Sequence, residues 1–140
     1  MKIIVDAMGG DNAPLEIVKG ALQAQKRFGA AIVFTGDEAA ILDAVKACGL
    51  TDLPDGAAVI PTTETVEMCD DPATVFRRKK DTSMGVGLTL LKNGGGDAMV
   101  SAGSTGALLT GATLITKRIH GIRRAAMAPV IPTATGSAVL

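Results

Sequence analysis

The chain has 140 residues, of which 47% are hydrophobic and 20% are charged, so it is long and apolar enough to fold around its own core and is not a disordered chain. Its net charge is zero, but residues 1–76 carry 5 Lys/Arg against 12 Asp/Glu, whereas residues 77–140 carry 9 against 2. The second part, with a net charge of +7, is a candidate surface for an anionic partner. The chain has no Trp or Tyr, which argues against a base-stacking surface for nucleic acid.

Several features of the sequence predict a reduced, cytoplasmic protein. Cys48 and Cys69 are too few for a disulfide framework or a cysteine metal cluster. The N-terminus, MKIIVDAMGG, lacks the long apolar segment of a secretory signal. The least polar stretch, residues 98–116, contains serine, threonine and glycine, which argues against a membrane span. His120 is the single histidine, so a multi-histidine metal site is excluded and no metal is expected.

Apolar runs and helical patterns alternate along residues 1–61. Three apolar runs predict buried strands, namely KIIVD at 2–6, AIVFTGD at 31–37 and GAAVIP at 56–61. Asp11 or Asn12 is the expected cap of a helix that has Pro14 in its first turn and ends at Gly29. Asp37 is the expected cap of a second helix. This alternation is typical of βαβ units in a parallel sheet.

The pattern continues beyond a polar stretch at residues 61–83, which is predicted to hold a short helix after Pro72. Next come a helix capped by Ser83 and ending at Gly94, a strand at 97–103 and a helix at 104–118. The chain ends on PTATGSAVL, which we interpret as a strand cut short within a longer protein. The sequence therefore predicts an open, mostly parallel α/β sheet with helices on both faces, and residues 1–140 as the N-terminal part of a single domain.

The stretch DAMGGDNAP, residues 6–14, is the first candidate site. A glycine turn at the carboxyl end of a parallel strand lets the backbone approach a ligand, and the helix that follows offers free N–H groups to an anion. Asp6 and Asp11 would repel an anion, so they are candidates for orienting other side chains, binding a metal or accepting a proton. An ordinary tight turn with a helix cap explains the same residues equally well.

The stretch SAGSTGALLTGA, residues 101–112, is the second candidate site. Ser101, Ser104 and Thr105 add hydroxyl groups to a glycine turn that holds no acidic residue, so it suits an anion better than the first. It matches neither G-x-G-x-x-G nor the phosphate-binding G-x-x-x-x-G-K-[ST], and it is not the G-x-S-x-G nucleophile motif. The alternative is a glycine-rich helix entry with Ser and Thr caps.

The stretch RRKK, residues 77–80, is the third candidate. Four adjacent basic side chains can bind phosphate groups or an acidic protein. A solvated charged surface is the commoner role of such a run.

The segments VDAMGGDNAP, RRKKDTSM, SAGSTGALLTGA and RIHGIRRAAMAPVIPT occur in this order over nearly the whole chain. Together they resemble the N-terminal part of the PlsX family, the phosphate acyltransferases of bacterial phospholipid synthesis. The resemblance implies a Rossmann-like fold related to phosphate acetyltransferases and isocitrate dehydrogenases. It also implies transfer of a fatty acyl group from acyl carrier protein to inorganic phosphate, which yields acyl phosphate for a glycerol-3-phosphate acyltransferase. A homodimer at the inner face of the membrane is expected, with neither metal nor organic cofactor.

The resemblance and the residue chemistry together assign the site residues. Asp11, Lys79 and Ser104 are the candidate catalytic residues, and Asp11 would orient the phosphate or a basic side chain. The candidate substrate-binding residues, for phosphate and acyl group, are Asp6, Gly9, Gly10, Asn12, Arg78, Lys80, Ser101, Gly103, Thr105 and Gly106. Two alternatives stay open, an NAD(P)-dependent oxidoreductase of a related fold and a non-catalytic module that binds an acidic protein.

Overall fold

The computed structural model describes residues 1–139, which are built around a four-stranded sheet. Its strands lie in the spatial order β3-β2-β1-β4, and every neighbouring pair is parallel. The strands are β1 (Lys2–Asp6), β2 (Ala31–Gly36), β3 (Ala57–Pro61) and β4 (Ala98–Val100). The predicted parallel α/β fold is therefore confirmed.

Helices cover both faces of this sheet and form two separate apolar cores. Successive residues of β1 point to opposite faces, so Val5 lies in the core under α1 and α2, whereas Ile4 lies against α4. The helices are α1 (Leu15–Phe28), α2 (Glu38–Ala47), α3 (Val75–Arg78), α4 (Ser83–Lys92) and α5 (Thr105–Gly111). A π-helical turn, Ala112–Thr116, extends α5. No helix among residues 1–139 is long and apolar enough to cross a membrane.

Two of the predicted helix caps are wrong. Neither Asp11 nor Asn12 caps α1 through its side chain; instead the Glu16 amide donates to the backbone carbonyl of Asn12 at 3.2 Å. The cap of α4 is Thr82 rather than Ser83, because the Thr82 Oγ1 accepts from the Gly85 amide at 3.1 Å. In both places the chain satisfies the first amides of the helix from a neighbouring position. The predicted cap of α2, Asp37, is confirmed by a 3.1 Å hydrogen bond from the Ala40 amide.

The last part of the chain differs from the predicted single strand. It forms an antiparallel hairpin of β5 (Val130–Thr133) and β6 (Gly136–Val139), separate from the parallel sheet. Both strands are exposed along their whole length. The apolar run that suggested one strand is thus divided by a turn at residues 134–135, and Leu140 lies outside the described residues.

Candidate functional site

The two glycine turns leave the same edge of the sheet. Strands β1 and β4 are parallel neighbours with Val5 opposite Val100, so the residues that follow each strand emerge side by side. The strand order also reverses at β1. The chain first adds β2 and β3 on one side of β1, and it then returns to place β4 on the other side. Ligands bind at such a crevice in open parallel sheets.

The turns touch each other at Gly9 and Gly103. A Cβ atom built on Gly9 would lie 2.9 Å from the Gly103 amide nitrogen and 2.8 Å from the Asp6 Oδ2. A Cβ atom on Gly103 would in turn lie 3.2 Å from the Gly9 Cα. Glycine at position 9 is therefore required for the two backbones to come this close.

Asp6 connects the two turns from beneath. Its Oδ2 accepts a hydrogen bond from the Ser101 hydroxyl at 2.7 Å, and the Ser101 Oγ accepts from the Gly103 amide at 3.1 Å. The Met8 amide donates to the Asp6 Oδ1 at 3.3 Å. Asp6 is only 1% exposed, so these hydrogen bonds stabilise a carboxylate that burial would otherwise penalise. Its carboxylate orients the second turn and is withdrawn from solvent.

The upper side of the first turn offers backbone amides. Within residues 1–139, the N–H groups of Gly9, Gly10, Asp11 and Asn12 donate to no protein acceptor. Gly10 has a φ of +118°, a conformation that favours glycine, and this bends the chain over Ala102. The side chains of Asp11 and Asn12 are exposed beside this turn.

In the second turn, Ser104 is occupied in capping α5. Its Oγ accepts from the Ala107 amide at 3.3 Å, and the residue is 7% exposed. The amides of Ser104, Thr105 and Gly106 have no acceptor within the described part of the chain. Thr105 and Gly106 are exposed, so their amides and the Thr105 hydroxyl are accessible to a ligand, whereas Ser104 is buried.

The basic run divides into one paired and several exposed side chains. The Lys79 Nζ lies 2.6 Å from the Asp70 Oδ2 and donates to the Thr65 carbonyl at 2.9 Å. The hydrogen bond from Lys79 lowers the pKa of Asp70, and the hydrogen bond to Asp70 raises the pKa of Lys79. Arg78 and Lys80 are exposed. Lys79 therefore holds the loop before α3, whereas its two neighbours face solvent.

Two residues that contact the second glycine turn were not predicted from the sequence. The Met84 Cε would lie 3.5 Å from a Cβ atom on Gly103, so the first turn of α4 packs against the second glycine turn from the core. Pro72 also packs against this turn, because its Cγ would lie 3.3 Å from a Cβ atom on Gly106. Both residues are apolar and distant in sequence from the glycine turns, so the turn motifs themselves do not indicate these contacts. Residues 1–139 contain no group of three or more His, Cys, Asp or Glu side chains that would hold a metal ion.

Comparison with known proteins places this chain in a family. The family described as "Fatty acid synthesis protein" matches residues 1–140. The phosphate acyltransferase of Thermoanaerobacterium thermosaccharolyticum is 46% identical over 140 residues, which cover 100% of this chain and 40% of that protein. The phosphate acyltransferases of Alkaliphilus oremlandii and Herpetosiphon aurantiacus are 46% and 41% identical, with 41% and 38% of their lengths covered.

The chain thus spans about two fifths of the length of these curated relatives while matching them from end to end. The matched region includes both glycine turns, the Asp6–Ser101 pair and the basic run. A family match over the whole chain and the parallel α/β fold agree with each other. The chain belongs to the fatty acid synthesis protein family.

Proposed function

We propose that this protein transfers a fatty acyl group from acyl carrier protein to inorganic phosphate and so forms an acyl phosphate. The observation that carries the proposal is the contact between the Gly9 and Gly103 turns, whose free amides face one edge of the sheet. The relatives are named phosphate acyltransferase, and these names support the same reaction class. Residues 1–140 are, in this proposal, the N-terminal part of a single catalytic domain.

In the reaction, a phosphate oxygen attacks the thioester carbonyl carbon, the new C–O bond forms, and the C–S bond breaks to release the carrier-protein thiolate. The phosphate is itself the nucleophile, so no activated serine or cysteine is required. The protein has to hold the anion against the carbonyl and stabilise the oxyanion that develops. Backbone amides are suited to both tasks because they bind negative charge without titrating.

The proposed roles follow from where each residue lies. The amides of residues 9–12 and 104–106 bind the phosphate and the developing oxyanion. Asp6 is a positioning residue that acts through Ser101, and Ser104 holds the start of α5. Asp11 and Asn12 are exposed and face the substrates. Among the proposed catalytic residues, Lys79 has the least direct support, because its ammonium group is bonded to Asp70.

The exposed cations Arg78 and Lys80 supply part of the proposed docking surface for acyl carrier protein, an acidic partner. Residues 77–140 carry a net charge of +7, which favours association with such a partner. We further propose the homodimer, delivery of acyl phosphate to a glycerol-3-phosphate acyltransferase, and peripheral contact with the inner membrane face. These three features derive from the resemblance to the PlsX family.

Titration with inorganic phosphate tests the proposal at the site. We expect the amide NMR signals of Gly9–Asn12 and Ser104–Gly106 to shift together with one dissociation constant, while Gly20, on the exposed side of α1, stays unchanged. Thiol release from acylated carrier protein should require phosphate and weaken with salt. A nicotinamide cofactor should leave the Tm unchanged. Phosphate shifts that miss both turns, or thiol release without phosphate, would contradict the proposal.

A further inference from the structure

One loop, residues 65–80, is closed at its base by hydrogen bonds between the residues that flank it. The Thr63 amide and hydroxyl group both donate to the Asp81 Oδ2, at 2.8 and 2.7 Å. The Asp81 amide donates to the Glu64 Oε2 at 2.9 Å, and the Ser83 amide donates to the Glu64 carbonyl at 3.1 Å. The chain that leaves β3 therefore lies directly beside the chain that enters α4. Compact surface loops whose ends are this close frequently carry a function.

An ion pair and buried side chains fix the interior of this loop. The Lys79 Nζ lies 2.6 Å from the Asp70 Oδ2 and donates to the Thr65 carbonyl at 2.9 Å. Val66 and Val75 are buried in the core cluster to which α4 and α5 also contribute. The packed interior of the loop should therefore survive the loss of a single hydrogen bond at its base.

The loop contacts α5 at two glycine residues and also carries the basic run. Pro72 lies against Gly106, since a Cβ atom there would be 3.3 Å from the Pro72 Cγ. The Phe76 ring lies against Gly111, where a Cβ atom would be 2.8 Å from its Cε2. Residues 77–80 follow directly within the same loop. The contact with the second glycine turn and the location of the basic run thus both depend on how this loop is held.

We propose that Asp81 is a positioning residue for the candidate phosphate site. Its carboxylate accepts two hydrogen bonds from Thr63 at the base of the loop, and the loop in turn places Pro72 against Gly106. The inference rests on the proposed function, because the exposed amides of the second turn are among the groups proposed to bind phosphate. Asp81 contacts no substrate in this proposal and acts only through the loop.

Thr63→Val removes one of the two hydrogen bonds to Asp81 and conserves the shape of the side chain. We expect the Gly106 amide signal to shift in the NMR spectrum. The dissociation constant for inorganic phosphate should increase about fivefold, which is the effect of one lost hydrogen bond. Thr63→Ser keeps the hydroxyl group and should restore both values. This rescue separates the hydrogen bond from the bulk of the side chain, and a loss that Thr63→Ser fails to restore would overturn the proposal.

Thr89→Val is the matched control, because it makes the same substitution at another hydroxyl hydrogen bond. The Thr89 Oγ1 donates to the Gly85 carbonyl at 2.8 Å within α4, and Thr89 is exposed. This variant should leave the Gly106 signal and the phosphate affinity unchanged, even where it lowers the Tm. An equal loss of phosphate affinity in Thr63→Val and Thr89→Val would reduce the effect to general destabilisation and overturn the proposal.

Asp81→Ala completes a double-mutant cycle with Thr63→Val. The double variant should bind phosphate no more weakly than Asp81→Ala alone, since both changes remove the same hydrogen bond. Losses of phosphate affinity that add fully would show that the two residues act separately, contrary to the proposal.

The Gly106 signal is recorded without phosphate, so the loop is tested independently of the proposed reaction. A Gly106 shift in Thr63→Val, together with wild-type protein that binds no phosphate, would retain the coupling of the loop to the second turn and reject the proposed function. Phosphate binding that Thr63→Val leaves unchanged would retain the proposed function and reject Asp81 as a positioning residue.

Discussion

The two glycine turns at the sheet edge use their residues in opposite ways. In the first turn the backbone itself is constrained, because Gly9 has no space for a Cβ atom and Gly10 has a positive φ. In the second turn the side chains do the structural work, because Ser101 binds Asp6 and Ser104 caps α5. Two similar glycine turns are therefore held by different physical means, close approach of the backbone in the first and hydroxyl hydrogen bonds in the second.

The largest expected effect is that of Gly9→Ala. The added methyl group would lie within 2.9 Å of the Gly103 amide nitrogen, so the two turns must separate. Forced packing of this kind costs about 1–3 kcal/mol of unfolding free energy, and the phosphate site should be lost with it. Chemical denaturation and phosphate titration by NMR measure the two effects.

Gly20→Ala is the control for Gly9→Ala. A Cβ atom on Gly20 would meet nothing within 4 Å, and the residue lies in the middle of α1. Alanine there should raise the unfolding free energy by about 0.5–1 kcal/mol through helix propensity. If Gly9→Ala were as stable as Gly20→Ala and still bound phosphate, the close contact between the turns would not be needed.

Ser101→Ala tests the side-chain character of the second turn. It removes the hydroxyl that donates to the Asp6 Oδ2, and it leaves a buried carboxylate short of one hydrogen bond. We expect a loss of about 1–3 kcal/mol of unfolding free energy, measured by urea denaturation. In a double-mutant cycle with Asp6→Asn, the two effects should not add, since both changes act on one hydrogen bond. Strict additivity would show that Asp6 and Ser101 act separately.

A smaller effect is expected for Ser104→Ala. The Ser104 Oγ accepts from the Ala107 amide at the start of α5, and loss of such a cap costs about 1 kcal/mol. Thr105→Ala is the matched control, because Thr105 is the adjacent exposed hydroxyl residue and its loss should change stability by less than about 0.5 kcal/mol. Thermal unfolding of both variants distinguishes the two hydroxyls. Equal Tm values would mean that the cap contributes nothing.

The sequence allowed the backbone of the site to be predicted, and the structure explains why. An apolar run that ends in a glycine turn marks the carboxyl end of a strand, as at Asp6 after β1 and Ser101 after β4. Because the strands of a βαβ sheet are parallel, both turns emerge at the same edge of the sheet. They lie side by side there because β1 and β4 are neighbours. Those local and topological rules suffice for the position of the turns.

The side-chain partners could not be predicted in the same way. Asp6 and Ser101 are 95 residues apart, and nothing local indicates that one donates to the other. The same holds for Lys79, a candidate catalytic residue in the basic run that the structure pairs with Asp70. Partners of this kind are set by tertiary packing, whereas periodicity and turn motifs report only on neighbours in sequence.

The Asp70–Lys79 pair gives the smallest predicted effect, one that should reach only the second turn. The folded-state pKa of Asp70 is lowered from its ordinary value of 3.8, so its stabilising contribution is present above pH 3.8 and is lost as the pH falls through the folded-state value. The pKa of Lys79 is raised above 10.5, so its contribution is present below pH 10.5 and is lost as the pH rises through its folded-state value. Wild-type protein should therefore have a higher unfolding free energy than Asp70→Asn between pH 3.8 and pH 10.5, and the difference should shrink below pH 3.8.

The same variant tests whether the two glycine turns respond separately. Because Pro72, two residues after Asp70, lies against Gly106, Asp70→Asn should shift the Gly106 amide signal and spare that of Gly9. Equal shifts at the two glycines would show that the turns respond as one unit.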